Sequence, residues 1–411
     1  MTSSPRAVYL LVTLDTKGAE AEFVRAALAT AGVSVTLVDT GCLGQPAVSA
    51  DVSRQDVFAA AGVKLDEVVA RADRGPAITA AARGAAEIVR RAHAEGKLAG
   101  VLALGGSAGT TIGTAAMRAL PLGVPKLMVS TLASGQVRHY VGDKDVLMLN
   151  SVVDILGVNR ISRLILGEAA AAMAGMVRLA APPSGGADKP LVAATMFGVT
   201  TSCVQRARQL LEEAGYEVLV FHATGNGGAA MESLIADGLF AGVLDITTTE
   251  LADELVGGFL TAGPDRLTAA GRAGVPQVIS VGACDMVNFH APETVPERFY
   301  NRHFYRHNAN VTLMRTTPEE CRQLGQILAE KLNLSSGAVT VLLPLGGWSM
   351  IDAPGGPFWW PEADRALADA LKSHLRPDIA VIEMDCNVND PEFARCAAET
   401  LLASMAQARG R

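Results

Sequence analysis

Residues that could bind phosphate concentrate in the stretch Leu98 to Thr111, LAGVLALGGSAGTT. An apolar run that leads into a turn of glycines and hydroxyls predicts a buried parallel strand followed by a helix. Glycines let backbone N–H groups approach an anion closely, so this turn suits phosphate. The spacing is not that of a Walker A loop, and a strand-to-helix turn also needs glycine for structural reasons alone. The predicted phosphate-binding residues are Gly105, Gly106, Ser107, Gly109, Thr110 and Thr111.

Other predicted strand ends in the first half carry polar residues that suit a nucleotide. Asp15, Thr16 and Lys17 follow the first strand, where a carboxylate, a hydroxyl and an ammonium could hold Mg²⁺, a ribose or a phosphate. The alternative is a helix cap with a solvated lysine. The predicted cofactor-binding set also includes Asp39 at the end of the second strand, and Ser130, Thr131, Ser134 and Gly135 after the fourth, where a simple hydroxyl-rich turn is the alternative.

A second glycine-rich turn, HATGNGGAA at residues 222–230, follows a strand in the second half of the chain. It is close to the dinucleotide fingerprint, and Asp245 lies 20 residues beyond Gly225, where a ribose-binding acid could fall. Because the fingerprint is loose and follows the second strand of its lobe, we favour an anion loop for a substrate carboxylate or phosphate. The predicted substrate-binding residues are Thr200, Thr201, Gly225, Gly227, Gly228, Thr248, Asn288, Arg298, Arg302 and Arg315.

Proton transfer is assigned to residues of the second half. The predicted catalytic residues are His222, Asp285, His290 and Asp352. His303 and His307, at i and i+4, raise the possibility of a divalent metal site, but the interleaved arginines suit an anion better, and a solvated basic helix is the remaining alternative. We therefore predict no metal ligands there.

Two other features of the second half have structural alternatives. Cys284 could be a nucleophile, although a buried cysteine at a strand end is commoner. The tryptophans Trp348, Trp359 and Trp360 are expected in a lid or lobe contact, or in a core.

Alternating strands and helices must position these turns. Such alternation predicts parallel sheets with right-handed crossovers, whose ligands bind beyond the carboxyl ends of the strands. The pattern repeats, since FAGVLDITTTE in the second half corresponds to LAGVLALGGSAGT in the first. We predict an α/β fold of two Rossmann-like, doubly wound parallel-sheet subdomains that face a cleft: residues 1–180, a linker at 181–190, and residues 191–411.

Two stretches of the first half break the regular alternation. Residues 44–75 are expected to form an excursion with a solvated polar face, and an alanine-rich helix is expected from about residue 151 to 178. The polar residues assigned to that face are Arg54, Asp56, Arg71, Asp73 and Arg74.

Composition limits the class of partner. Of the 411 residues 49% are hydrophobic and 19% charged, which permits a sizeable core. A net charge of -7 without basic runs argues against nucleic acid and anionic membranes. Six scattered cysteines without C-x-x-C pairs, and an N-terminus unlike a signal peptide, favour a reducing cytoplasm.

Several long motifs together resemble one family over nearly the whole chain. They include GGSAGT, VSTLASG, HATGNGGAAME, DITTTELADEL, CDMVNFH and SMIDAPGGPFWWPEAD. The chain is similar to the ATP-binding domain family typified by the N-terminal inhibitory domain of the tomato mosaic virus resistance protein. The resemblance implies ATP with Mg²⁺ as ligand, self-association as a dimer or tetramer, and a separate TIM-barrel partner similar to phosphoenolpyruvate hydrolases.

These observations lead to one functional hypothesis and three rivals. We expect a Mg²⁺-dependent ATP-binding protein that activates a small anionic substrate of the carboxylate type. The rivals are a nucleotide-gated scaffold without turnover, a hydrolase or lyase that uses no nucleotide, and an NAD-binding enzyme.

Overall fold

The computed structural model describes residues 6–42, 44–71, 73–179 and 188–409. The chain divides into two compact units, Met1–Gly185 and Gly186–Arg411. Most of the predicted linker, residues 181–187, lies outside the described residues. The predicted α/β class is confirmed, because each unit is built on its own parallel sheet.

The first unit contains a five-stranded parallel sheet in the order β2-β1-β3-β4-β5. Its strands are β1 (Ala7–Val12), β2 (Val35–Asp39), β3 (Leu98–Gly105), β4 (Lys126–Ser130) and β5 (Leu147–Asn150). Its helices are α1 (Gly18–Thr30), α2 (Arg54–Ala60), α3 (Leu65–Arg71), α4 (Arg74–Ala94), α5 (Ser107–Arg118), α6 (Arg138–Val141) and α7 (Arg160–Arg178).

Helices cover both faces of this sheet because successive strand residues point to opposite faces. Tyr9 and Leu11 of β1 belong to the core formed with α4 and α5. Val8 and Leu10 belong to the core formed with α1 and α7. Burial on both sides explains why β1 and β3 are nearly continuous apolar runs.

The second unit contains a six-stranded parallel sheet in the order β14-β13-β9-β8-β6-β7, and a three-stranded antiparallel sheet in the order β10-β12-β11. The parallel strands are β6 (Leu191–Met196), β7 (Glu217–His222), β8 (Phe240–Thr247), β9 (Gln277–Gly282), β13 (Val339–Pro344) and β14 (Ala380–Met384). The antiparallel strands are β10 (Met286–Phe289), β11 (Phe304–Asn308) and β12 (Val311–Arg315). The α-helices are α8 (Thr201–Glu213), α9 (Asn226–Ala236), α10 (Glu250–Val256), α11 (Ala269–Ala273), α12 (Pro318–Asn333), α13 (Pro361–His374) and α14 (Pro391–Arg409).

The internal repeat is visible in the topology. The order β2-β1-β3-β4 of the first unit recurs as β7-β6-β8-β9 in the second. An irregularity recurs too: the register of β1 against β3 shifts between Ala7 and Val8, and that of β6 against β8 shifts between Leu191 and Val192. The two units therefore share one design at their central strands.

Three local predictions made from the sequence differ from the structure. His303 and His307 lie on the β11 side of a hairpin and not on a helix, because β11 pairs with β12. Arg54, expected on a solvated face, is only 5% exposed. The helix expected from residue 151 begins at Arg160, since β5 and an irregular segment precede it. Within the described residues, no helix is long and apolar enough to span a membrane.

Candidate functional site

A cavity of about 490 Å³ lies beside the carboxyl ends of β1 and β3 in the first unit. The chain leaves β1 toward β2 on one side and reaches β3 on the other, so the two loops diverge between adjacent strands. Such a topological switch point is where doubly wound sheets bind their ligands. The cavity is lined by Thr13, Asp15, Thr16, Lys17, Cys42, Gly44, Arg74, Ile78, Gly106, Ser107, Ala108, Gly109, Ile112 and Leu156.

The glycine turn after β3 brings the start of α5 to this cavity. Gly106 is the N-cap of α5 and has no side chain with which to cap the helix. The next three residues, Ser107, Ala108 and Gly109, all line the cavity. The first amides of a helix have no intrahelical acceptor and carry a partial positive charge, so this end of the cavity suits an anion. Gly105 is required behind it, because an added Cβ would lie 2.9 Å from the Cα of Gly109.

Charged side chains line the same cavity. The Lys17 Nζ donates to the carbonyl oxygen of Ile155 at 2.8 Å. An oxygen of Asp15 accepts from the amide of Gly44 at 3.2 Å. Arg74, the first residue of α4, lines the cavity as well, although the sequence suggested only a solvated face. The site therefore combines two cations, a carboxylate and the start of a helix.

Apolar side chains also line the cavity. Ile78, Ile112 and Leu156 line it, and none of them follows from a motif in the sequence. Burial, with the nearby carboxylates Asp15 and Asp39, raises the pKa of the Cys42 thiol to about 11. Cys42 is therefore protonated at neutral pH and acts here as a small apolar side chain.

Several predicted cofactor residues lie beside the cavity without lining it. The hydroxyls of Thr110 and Thr111 donate to the carbonyl oxygens of Gly106 and Ser107, at 2.8 and 2.9 Å. The Ser130 hydroxyl is buried against that of Thr110 at 2.7 Å. Thr131 lies near Gly106, and Ser134 and Gly135 are exposed.

Asp39 holds the loop after β2 instead of facing the cavity. It is 2% exposed, and one carboxylate oxygen accepts from the amides of Leu14 and Gly41 at 3.1 and 2.8 Å. The guanidinium of Arg54 lies 3.6 Å from the other oxygen. This pair explains why Arg54 is buried, and it leaves Asp39 a positioning residue for the loop next to Asp15.

The glycine loop of the second unit is occupied by the chain's own carboxylate. Glu250 Oε1 accepts from the amides of Gly225 and Gly228 at 2.7 and 3.1 Å. An added Cβ on Gly228 would lie 2.1 Å from Glu250, and one on Gly227 would lie 1.9 Å from the carbonyl oxygen of His222. The predicted anion loop exists, but its anion is internal, so it does not support a substrate site at these glycines.

A fully buried arginine accounts for Glu250 and Asp245. Arg266 donates to both oxygens of Asp245 at 2.5 and 2.7 Å, and to Glu250 at 2.6 Å. Glu232 lies 3.2 Å from the same guanidinium. Because Asp245 is 1% exposed and engaged on both oxygens, the geometry gives no support to a ribose contact or to the NAD-binding rival.

A second buried arginine gathers the predicted catalytic carboxylates. The Arg315 Nη2 lies 2.5 Å from Asp364 and 3.7 Å from Asp352. The Ser349 hydroxyl donates to Asp285 at 2.8 Å and accepts from the amide of Asp352 at 3.1 Å. Asp285, Asp352 and Arg315 are at most 1% exposed. We call Asp285, Asp352, Asp364 and the guanidinium of Arg315 the acid cluster. It lies at the carboxyl edge of β9 and β13.

The acid cluster holds more negative charge than its arginine can neutralise. Burial, then the Asp352 charge, raises the pKa of Asp285 to about 8, and the same two causes raise that of Asp364 to about 7. One oxygen of each carboxylate has no hydrogen-bond partner among the described residues. A proton bound to one of these oxygens would make it a donor and would reduce the excess negative charge. In this structure Asp285 and Asp352 are buried within the second unit and do not line the cavity of the first.

Most other predicted groups of the second unit are engaged within the protein. Arg302 pairs with Glu320 at 2.6 Å, and Asn288 donates to Asp253 at 2.7 Å. Burial raises the pKa of Cys284 to about 12, which argues against a nucleophile. The hydroxyls of Thr200 and Thr248 are buried and hydrogen-bonded. The hydroxyl of Thr201 donates to the carbonyl oxygen of Phe197, and the guanidinium of Arg298 donates to that of Val256.

The two histidines predicted to be catalytic, His222 and His290, are exposed and contact aromatic rings. The ring centroid of His222 lies 5.6 Å from that of Phe197, and the ring centroid of His290 lies 3.7 Å from that of Phe259. Trp348, one of the three tryptophans, is 2% exposed and belongs to the core. In the described ranges, no group of three or more His, Cys, Asp or Glu side chains is arranged to hold a metal ion.

Fold and site define a class: a two-unit α/β protein with an anion-suited cavity at the switch point of its first parallel sheet. Residues 6–182 match the N-terminal domain of uncharacterised protein family UPF0261, and residues 189–405 match its C-terminal domain. The chain belongs to this family.

Relatives support this assignment over the whole chain. A UPF0261 protein of Clostridium tetani is 48% identical over 97% of this chain and 98% of its own length. The tomato (Solanum lycopersicum) ToMV resistance protein Tm-1 is 42% identical over 98% of this chain but only 56% of its own length. The solved UDP-N-acetylglucosamine 2-epimerase of Rickettsia bellii has a TM-score of 0.22 and 10% identity, over 98% of this chain and 97% of its own, too distant to carry an argument.

Replacing Arg266 with Met should strongly destabilise the second unit. The change leaves Asp245 and Glu250 buried without a counter-charge, which costs about 3–5 kcal/mol in comparable cases. Unfolding in urea can be followed by tryptophan fluorescence, since Trp348, Trp359 and Trp360 all lie in this unit. Arg272→Met, at an exposed pair with Asp265, is the matched control and should change little. Equal effects of the two changes would contradict this role of Arg266.

The acid cluster should make the second unit more stable at mildly acidic pH. Since the folded pKa of Asp285 exceeds the unfolded value of about 3.9, the folded chain binds more protons between about pH 4 and 8, and the free energy of unfolding falls across that range. The urea midpoint by tryptophan fluorescence should therefore be lower at pH 8 than at pH 5.5. Asp352→Asn removes the repelling charge and should flatten this dependence.

The control for that experiment is Asp369→Asn, because this carboxylate lies on α13 but is 66% exposed. It should leave the pH dependence as in the unchanged protein. The groups that face Asp285 and Asp364 are Asp352, Arg315, Cys284, Cys321 and, near Cys321, Glu320. Identical pH profiles for Asp352→Asn and the unchanged protein would show that the cluster holds no proton of this kind.

Proposed function

We propose that the protein binds ATP together with Mg²⁺ in the cavity of the first unit. The observation that carries the proposal is the convergence of the uncapped start of α5 with Lys17 and Arg74 at a topological switch point. Helix starts of this kind bind phosphate in nucleotide-binding folds. The family resemblance noted in the motifs points to the same ligand.

Each part of the cavity suits one part of this ligand. The amides of Ser107, Ala108 and Gly109, with the two cations, would neutralise phosphate charge. The apolar wall of Ile78, Ile112 and Leu156 would accommodate the base, and a volume of about 490 Å³ is within the usual range for small-molecule sites.

The donor set also fits magnesium. Asp15, Thr13 and Thr16 offer a carboxylate and two hydroxyls to the cavity. Mg²⁺ is bound in nucleotide sites through one or two carboxylates together with phosphate oxygens and waters, so three protein carboxylates are unnecessary. The metal would supply neutralisation of phosphate charge when bound.

For the reaction we propose ATP-dependent activation of a small carboxylate-type anion. A nucleotide-gated scaffold is the second candidate, and one observation favours it: the carboxylates predicted to be catalytic, Asp285 and Asp352, are sealed in the core. In that case nucleotide would govern self-association, as a dimer or tetramer, or contact with a separate TIM-barrel partner. Release of phosphate or pyrophosphate supports the enzyme, whereas assembly on ATP without turnover supports the scaffold.

Calorimetric titration with ATP, ADP and NAD, with and without MgCl₂, tests the binding proposal. We expect heat of binding for ATP with Mg²⁺ and none for NAD. Gly106→Asp should weaken ATP binding by at least about tenfold, because a carboxylate at the helix start repels phosphate. It should not unfold the protein, since an added Cβ there meets nothing closer than 3.7 Å and aspartate is a favourable N-cap.

The matched control is Gly167→Asp in α7, where an added Cβ has nothing within 4 Å. This variant adds the same charge away from the cavity and should bind ATP normally. Failure of ATP to bind the unchanged protein, or equal affinity in Gly106→Asp, would contradict the proposed function.

A further inference from the structure

The segment between β5 and α7, residues 151–158, forms part of the cavity wall. Leu156 lines the cavity and is 77% exposed. Val152 is 66% exposed and has φ of +63°, a left-handed conformation that is unfavourable for a β-branched residue. The exposed residues Val152 and Leu156 thus flank Ile155, which is 2% exposed and anchors the segment in the core.

Two side chains from the start of α1 hold this segment in place. The Lys17 ammonium donates to the carbonyl oxygen of Ile155 at 2.8 Å. The carboxylate of Glu20 accepts from the amide of Gly157 at 2.6 Å, although Glu20 itself is only 1% exposed. Both bonds reach across more than a hundred residues of sequence to two neighbouring peptide groups. The same lysine also lines the cavity.

A lysine ammonium has three N–H donors, and Ile155 takes one of them. A phosphate in the cavity could accept another without breaking the first bond. Such a ligand would also cover part of Leu156, which is otherwise in contact with solvent. Both effects act in one direction, because both lower the free energy of the segment in its present position.

We infer that residues 151–158 are the ligand-responsive wall of the cavity, with Lys17 as the link to phosphate and Glu20 as the positioning residue. This inference rests on the proposed function, since it requires an anionic ligand in the cavity. Occupancy of the site fixes the conformation of a segment that carries exposed apolar side chains. Nucleotide binding thereby stabilises one conformation of this part of the surface of the first unit.

Hydrogen exchange at the amides of residues 153–157 tests the inference. With ATP and Mg²⁺, or with inorganic pyrophosphate, at concentrations far above Kd, exchange there should slow by at least about tenfold, because binding and segment opening are linked. Lys17→Met should speed exchange without ligand and remove most of the ligand effect. Glu20→Ala should speed exchange and also weaken pyrophosphate binding, whereas Glu20→Gln, which keeps an acceptor oxygen, should restore much of both.

Glu22→Ala is the matched control, since this carboxylate lies on the same helix and pairs with Arg25 at the surface. It should change neither exchange nor binding. Calorimetry on the same samples separates the outcomes. Binding of ATP with unchanged exchange at 153–157 overturns this inference and leaves the proposed function intact. If ligand-free Lys17→Met and Glu20→Ala both exchange at the rate of the unchanged protein, these two side chains do not hold the segment in place. Absence of binding to every probe overturns the proposed function and this inference with it.

Discussion

Backbone amides at the carboxyl edge of a parallel sheet need an acceptor, and the two units meet this need in different ways. In the first unit the start of α5 opens on a cavity lined by Ser107, Ala108 and Gly109. In the second unit the amides of Gly225 and Gly228 are bonded to Glu250. The first amides of a helix have no intrahelical acceptor and carry a partial positive charge, so each of these glycine loops suits an anion. The second unit carries its own anion, and we propose that the first unit takes one from solution.

Two buried arginines explain why the second unit is rich in reactive side chains and yet closed to a ligand at its acid cluster. Arg266 holds Asp245 and Glu250, and Arg315 holds Asp364 and approaches Asp352. Burying these charges is tolerable only because they are paired. Each arginine lies among three carboxylates. The carboxylate oxygens around Arg266 are all hydrogen-bonded, whereas one oxygen of each acid-cluster carboxylate has no hydrogen-bond partner among the described residues. Asp285 and Asp352, which the sequence suggested for proton transfer, are both buried in the acid cluster.

The sequence predicted the fold well because strand and helix periodicity are local and because the repeat is direct. It also predicted that Asp15, Thr16 and Lys17 would meet Gly106, Ser107 and Gly109, since adjacent parallel strands end at one edge. It could not predict Arg74 or Leu156 in the cavity wall, because their positions depend on how α4 and the segment after β5 pack. A glycine pattern also cannot show whether its anion is a ligand or, as with Glu250, a side chain. The spacing of His303 and His307 suggested a helix, but long-range pairing of β11 with β12 overrode it.

The internal position of Glu250 has a consequence for how the protein responds to its solvent. A carboxylate fixed by the chain is present at an effective concentration that dissolved ions do not reach. Phosphate or sulfate in a buffer therefore cannot displace it from the second unit. The N-cap of α5 is Gly106, which has no carboxylate of its own, so the choice of buffer anion is an experimental variable for the first unit.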